Sequence, residues 1–160
     1  KEISRSGSIL LAKLSMPQHI LGIAIPGADF KGFGWDLSLN RDIPLRLRFS
    51  TGAGEAILDL SDTLVKELRV DTGASSTRVT LPMRAGTTHV TAKAGMASLE
   101  FSVPQGVAAR ISLDTGMSSN KIDTNRFPLT GSVYQSPDFD TAANKVDIDI
   151  EAGMGGIEIR

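Results

Sequence analysis

The sequence predicts an all-β, single-domain parallel β-solenoid, β-helix-like, with coils of 21–22 residues and glycine corners. Three observations predict it. The first is a repeated template. Around Gly73, apolar residues stand five and three positions before (Leu68, Val70) and six and eight after (Val79, Leu81). The template recurs around Gly52 (Leu47, Phe49, Leu58, Leu60), Gly95 (Val90, Ala92, Phe101, Val103), Gly116 (Ile111, Leu113, Ile122) and Gly153 (Ile148, Ile150, Ile159). Ala or Met follows each of these glycines, and the first four recur every 21 or 22 residues. A fixed period of this size marks a stack of structural repeats. The second observation is the alternation of apolar and polar residues on either side of each glycine, the signature of strands with one face inward. The third is charge. Asp71, Lys93 and Asp114 share one outward slot, Arg78, Glu100 and Lys121 a second, and Arg46 and Glu67 a third. Their signs alternate from repeat to repeat, which stabilises parallel stacking of equivalent strands and has no reason to occur in an antiparallel meander.

Bulk properties agree with this reading and exclude several functions. The chain has 160 residues, a net charge of −1, 16 glycines and 5% aromatic residues. That charge gives no footing for nucleic-acid binding by bulk electrostatics. No apolar run approaches the ~20 residues of a membrane-spanning helix; the longest candidate, 19–26, ends in Pro-Gly. The chain begins with Lys1, not Met, and reads as trimmed, so the missing targeting segment carries no argument. The absence of cysteine excludes thiol chemistry, disulfides and Cys-based metal sites.

Taken in order, residues 1–34 read as divergent N-terminal coils or a cap, with Leu14-Ser15-Met16-Pro17 echoing Val79-Thr80-Leu81-Pro82. Residues 35–122 are the regular repeats, opened by Trp35-Asp36-Leu37-Ser38-Leu39 one period before Leu58 and Leu60. Each repeat is strand, glycine corner, strand, second corner. The second corner has its own apolar residue, Ile43, Leu64 or Val107, and the glycine of the first suits a turn with positive φ. Residues 123–144 break the template with Phe127, Tyr134 and Phe139 and read as an irregular insertion packing its aromatics over one face. Residues 145–160 return to clean alternation as a terminal rung, with Val146, Ile148 and Ile150 inward. That rung carries no proline and is the expected self-association edge, since unpaired edges recruit partners.

The motif with a chemical look is Leu68-Arg69-Val70-Asp71-Thr72-Gly73-Ala74-Ser75, the local signature of a pepsin-like aspartic protease, with a second copy at Asp114-Thr115-Gly116. The repeat argues against it. The same slot holds Ser50, Lys93 and Glu151 in sister repeats. Two catalytic carboxylates must lie about 3 Å apart to share a proton, whereas two rungs of stacking separate Asp71 from Asp114 by about 9–10 Å. His89 falls on an outward sheet position, and His19 has no second ligand at metal spacing. Asp138, Asp140, Asp147, Asp149 and Glu151 offer oxygen ligands of the type Ca²⁺ takes, but strand alternation accounts for the last three. Phe33 and Trp35 with Arg46 and Arg48 form a candidate glycan or partner patch, against the simpler reading that the aromatics close the core. No catalytic, cofactor-binding or metal residue is therefore assigned.

The spaced positions together resemble a bacterial family. Trp35-Asp36-Leu37…Leu39-Asn40…Ile43-Pro44-Leu45, Gly52…Leu58-Asp59-Leu60-Ser61, Leu68…Gly73-Ala74-Ser75…Leu81-Pro82, Val103-Pro104…Gly106-Val107-Ala108, Phe127…Tyr134…Ser136-Pro137-Asp138…Asp140…Ala142…Asn144 and Asp147-Ile148…Ile150…Gly153 carry the resemblance. It is to the toastrack-type, LiaF-like C-terminal domain of membrane proteins of the cell-wall-antibiotic (envelope stress) response, and it covers roughly 35–160. The resemblance implies a non-enzymatic β-solenoid with no catalytic residues to carry over. It also implies attachment to the bacterial envelope through a membrane segment absent from this chain. The expected function is a non-catalytic sensing or interaction module. It binds a protein partner of unknown identity through sheet faces or solenoid ends, without nucleic acid or cofactor, and could form a homo-oligomer through a terminal strand edge. The alternatives are an adhesin or scaffold self-associating end to end and, behind it, a hydrolase: the protease or a polysaccharide-active β-helix.

Overall fold

The computed structural model describes residues 2–6, 9–15 and 36–160. The chain divides into two compact units, Lys1–Leu37 and Ser38–Arg160. In the first, β1 (Glu2–Ser6) and β2 (Ile9–Lys13) pair antiparallel, with Glu2 opposite Lys13 and Ser6 opposite Ile9. Of the stretch read as divergent coils or a cap, the described residues form this hairpin. Leu14, in the run that echoes residues 79–82, stands exposed just after β2. Residues 36–43 form no strand, and Leu37, Leu39 and Ile43 are exposed. Apolar spacing alone was not enough there to make a strand.

The second unit is all-strand. It contains β3 (Pro44–Asp59), β4 (Leu64–Thr80), β5 (Thr87–Ser102), β6 (Ala108–Ile122), β7 (Leu129–Thr130), β8 (Val133–Gln135) and β9 (Lys145–Ile159). They form one sheet in the order β3-β4-β5-β9-β6-β8-β7. The five long strands run parallel; β8 pairs antiparallel with β6 at Arg110 and Ile111, and β7 with β8. This is the predicted solenoid: every long strand crosses its glycine without a break, and both halves send side chains into one core. Leu68 and Val70 before Gly73, and Val79 and Leu81 after it, belong to the same buried cluster, as do Val90, Ala92, Leu99 and Phe101 of β5. Burying each Val, Leu or Ile contributes about 1.5–3 kcal/mol, so the stacked columns dominate stability.

The corner is visible in the burial pattern. Thr72 and Ser75 are both buried, while Gly73 and Ala74 between them face outward, so the two-residue alternation skips a beat and the strand bends. The anchor glycines are not there for positive φ, as their turn-like spacing suggested: the positive-φ glycines are Gly54, Gly86, Gly106, Gly131 and Gly155. They are there because neighbouring coils approach too closely for a side chain. A Cβ on Gly153 would lie 2.9 Å from the Gly95 carbonyl oxygen, one on Gly116 2.8 Å from that of Gly153, and one on Gly95 3.2 Å from that of Gly73; on Gly73 it would overlap the Gly52 carbonyl outright. The five glycines stack as a ladder of bare backbone. At the second corner the hydrogen-bond ladder continues through Leu60 N–H to Thr80 O (3.0 Å), Leu81 N–H to Ser102 O (3.0 Å) and Val103 N–H to Arg160 O (2.7 Å). Of the apolar residues expected there, Val107 is buried, Leu64 half-buried and Ile43 exposed.

The chain's last strand is not an edge. β9 lies between β5 and β6, its residues paired on both sides: Ile148 stands between Val90 and Ile111, Ile150 between Ala92 and Leu113. The expected self-association edge at 145–160 is therefore interior. Successive repeats usually contact their sequence neighbours; here the 123–144 excursion carries the chain back so that β9 can enter a gap left beside β5. The excursion behaves as its aromatics suggested. Phe127 is fully buried, Phe139 is buried under the Arg110 guanidinium at 4.8 Å, and Tyr134 packs against the core. Arg126 ties it down by donating to the carbonyls of Val103 (2.8 Å) and Pro104 (3.1 Å), and Ser136 exchanges hydrogen bonds with Ala109 (2.8 and 2.9 Å).

Two outcomes follow from this topology. Gly153→Ala is expected to cost about 2 kcal/mol or more of unfolding free energy, with Gly95→Ala, whose Cβ has more room, costing less; chemical denaturation measures both. Ile157→Pro, at a buried position of the interior strand, should remove a ladder hydrogen bond and lose the folded core by circular dichroism, rather than trimming an oligomer from an intact monomer.

Candidate functional site

An open groove of about 770 Å³ runs along the outside of the glycine corner. Ser50, Asp71, Lys93, Glu151 and Asp114 line one bank, one from each coil in spatial order β3, β4, β5, β9, β6. Each side chain sits two residues before its glycine, where strand alternation turns it outward and the bare glycine backbone leaves the groove floor open. Both Asp-Thr-Gly motifs end here, so this is where any chemistry of theirs must occur.

The structure does not bring the two aspartates together. Lys93 and Glu151 stand between Asp71 and Asp114, so three strand spacings, about 14 Å, separate them. The insertion of β9 adds one rung to the separation expected from sequential stacking. Asp71 is held by Arg48 and Arg69, each at 3.1 Å. Burial would push its carboxyl up, but the Arg69 and Arg48 guanidiniums outweigh it and hold the group below the usual carboxylate range. A general acid needs the opposite shift. Lys93 does not bridge the aspartates either; it pairs with Glu151 at 2.6 Å.

The rest of the outer surface is a ladder of ion pairs between adjacent coils. Arg46 meets Glu67 (3.5 Å), Arg78 meets Glu100 (3.0 Å), Lys121 meets Glu158 (3.1 Å), Arg110 meets Asp147, and Arg160 meets Glu100. The alternation read from the sequence holds from β3 to β5 and is interrupted where β9 is spliced in. The splice also places Glu100 beside Glu158 and Asp114 beside Glu151. Arg78 and Arg160 relieve Glu100, and Lys121 relieves Glu158; Asp114 makes no ion pair among the described residues. The Asp147 carboxylate beside Arg110 raises the guanidinium pKa further. Exposed pairs of this type contribute about 0–1 kcal/mol each, so the ladder sets register more than stability.

The other sequence candidates disperse. His89 is exposed between Glu67 and Asp147 on the sheet, a solvated ladder position. Arg46 and Arg48 are occupied by Glu67 and Asp71. In the acidic cluster, Asp147 and Glu151 go to Arg110 and Lys93, and no group of three His, Cys, Asp or Glu is placed to hold a metal among the described residues. His19, Phe33 and Trp35 lie outside the described residues. Sequence reasoning passed over the slot just after the glycine. Met96, Met154 and Met117 fill it on three adjacent strands, in register and exposed. The signal was present, since Ala or Met always follows the anchor, but its exposure depends on the direction of the bend.

With the geometry in place, comparison with known proteins is informative. Residues 3–102 match the model of a family described as the N-terminal domain of toast_rack, DUF2154. The match starts well before Trp35, takes in the residues that only loosely fitted the repeat, and stops at the end of β5. A crystal structure from Clostridium sporogenes ATCC 15579, provisionally named a cell adhesion protein, superposes with a TM-score of 0.70 at 24% identity. The alignment covers 81% of this chain and 65% of that one, so this chain spans under two thirds of its length; at that identity the likeness shows the fold. No curated protein matches. Among the described residues, no helix is long and apolar enough to cross a membrane.

The ion-paired state of Asp71 has a pH consequence. Its folded pKa is depressed, so the pairing stabilises the fold above the unfolded value of about 3.9 and is lost as pH falls through the folded value. Asp71→Asn should cost about 1 kcal/mol or less near neutral pH and should lessen the loss of stability on acidification. Urea titrations of both proteins across the acid range check the sign.

Proposed function

The chain belongs to the toast-rack family, and from that premise we propose that it is a non-catalytic interaction module of the bacterial cell envelope, binding a protein partner across its ion-paired outer sheet surface. One observation carries this reading. The groove where both Asp-Thr-Gly motifs converge holds charges that neutralise one another, Asp71 with Arg48 and Arg69, Lys93 with Glu151. Reactive groups are kept apart, whereas a rigid, mixed-sign surface of fixed spacing is what electrostatic partner selection uses. The family and the fold neighbour's provisional adhesion name are compatible with the envelope. A LiaF-like role in the envelope-stress response is the specific form this module would take.

End-to-end self-association is the second reading, and the coil ends speak against it. Stacking would have to use the outer edge of β6, where Arg110 and Ile111 already pair with Gln135 and Tyr134 of β8. Asn120 occupies the slot that Leu99 and Ile157 fill inside the core, giving β6 a polar finish. The β7–β8 hairpin also covers the start of that edge. Such terminal polarity is how repeat stacks stop.

Sedimentation velocity over a wide concentration range should return one species; growth with concentration would move the assignment to a scaffold. In a bacterial host, a photo-crosslinking residue replacing exposed Thr87 or His89 should capture one distinct envelope protein. Capture of none from either position would count against the sheet face.

A further inference from the structure

From the methionine row at the glycine corner, we propose that Met96, Met154 and Met117 form a thioether site for a soft monovalent ion, Cu⁺ or its analogue Ag⁺. The three residues are strand neighbours in direct register, Met96 opposite Met154 and Met154 opposite Met117. They are not neighbours in sequence order; the insertion of β9 between β5 and β6 makes them contiguous. All three side chains are exposed, at 61%, 43% and 81%. Apolar side chains exposed singly are ordinary, whereas a contiguous row of them marks an interaction site, and the corner does not require it: β3 and β4 put Ala53 and Ala74 in the same slot. Three of the chain's five methionines are at this one place.

The geometry and charge suit the ion. The outer two Cα positions lie two strand spacings apart, about 10 Å. Methionine is unbranched with three rotatable bonds, so Met96 and Met117 can lean over Met154 and bring three sulfurs to one point. Soft thioether sulfur selects Cu⁺ over hard cations. Three residues upstream of Met154 and Met117 stand Glu151 and Asp114, adjacent on the sheet, and among the described residues the one ion pair either makes is that of Glu151 with Lys93. That leaves net negative charge beside the row, favourable to a cation. The chain has no cysteine to compete.

The test is a calorimetric titration of the full chain with Ag⁺, followed in parallel by the methionine methyl NMR resonances. Expected are about one ion per chain, shifts confined to Met96, Met154 and Met117, and Met154→Leu weakening binding by about tenfold or more. Leucine keeps the apolar volume, so this variant separates sulfur ligation from an apolar docking face, and Met83→Leu should leave binding unchanged. Binding should persist at about pH 5, where imidazole is protonated, which separates it from ligation by His89 or His19. The proposal is overturned if Met154→Leu binds as the parent does, if the ion is lost at that pH, or if all five methionines shift together without saturation.

Discussion

The structure depends on how closely its coils approach at one corner. At Gly73, Gly153 and Gly116, the space a Cβ would need is taken by the carbonyl oxygen of the adjacent coil's glycine, and at Gly95 it is crowded by one at 3.2 Å. Any other residue would force the strands apart at the bend, and the inward columns on either side would lose contact. With glycine in place, each strand bends through the corner while its hydrogen bonds continue. Leu68 and Val79, eleven residues apart in sequence, then share one core. Everything outward follows from that bend: the row of charges before the glycine, the open groove over it, and the methionines after it.

The core was legible in the sequence because it is periodic. Every inward column named from spacing alone (Leu47, Leu68, Val90, Ile148 and Ile111, for example) is a column in the structure. The order of the coils was not legible, because the template fits any order equally well. The charges did not decide it either: Lys93 accepts Asp114 or Glu151 as a neighbour, and Glu100 would pair with Lys121 in the sequential arrangement. Asn120 fits this order without dictating it: its slot holds Leu99, Ile157 and the buried Thr77 on the inner coils, and on β6 Asn120 is exposed. Gly155 tells the same story from the other strand, since its Cβ would overlap the Ala97 backbone, so β9 is shaped to lie flush against β5.

The candidate site shows why a short motif misleads when its context is a repeat. Asp-Thr-Gly recurs because the corner wants an outward polar residue, a small inward one and a bare backbone. Thr72 is buried with its hydroxyl near the Lys93 carbonyl (3.5 Å), a packing role rather than the support of a catalytic pair. Asp71 is engaged by two arginines, from its own and the neighbouring coil. What the sequence did not convey was the direction each corner residue faces. That direction is set by the skipped alternation between Thr72 and Ser75, and it turns an inconspicuous Ala-or-Met slot into an exposed row.

The Lys93–Glu151, Arg110–Asp147 and Lys121–Glu158 pairs, the Gly153 contacts and the methionine row all rest on one claim, that β9 lies between β5 and β6. Because the chain lacks cysteine, paired cysteines test that claim directly. Asp149 stands opposite Thr91 on one side and Ser112 on the other. Thr91→Cys with Asp149→Cys should oxidise readily to a disulfide, their Cα atoms being one strand spacing apart, about 5 Å. Thr91→Cys with Ser112→Cys should stay reduced under the same conditions. Rapid disulfide formation in the second pair, with none in the first, would place β6 beside β5 and contradict the account.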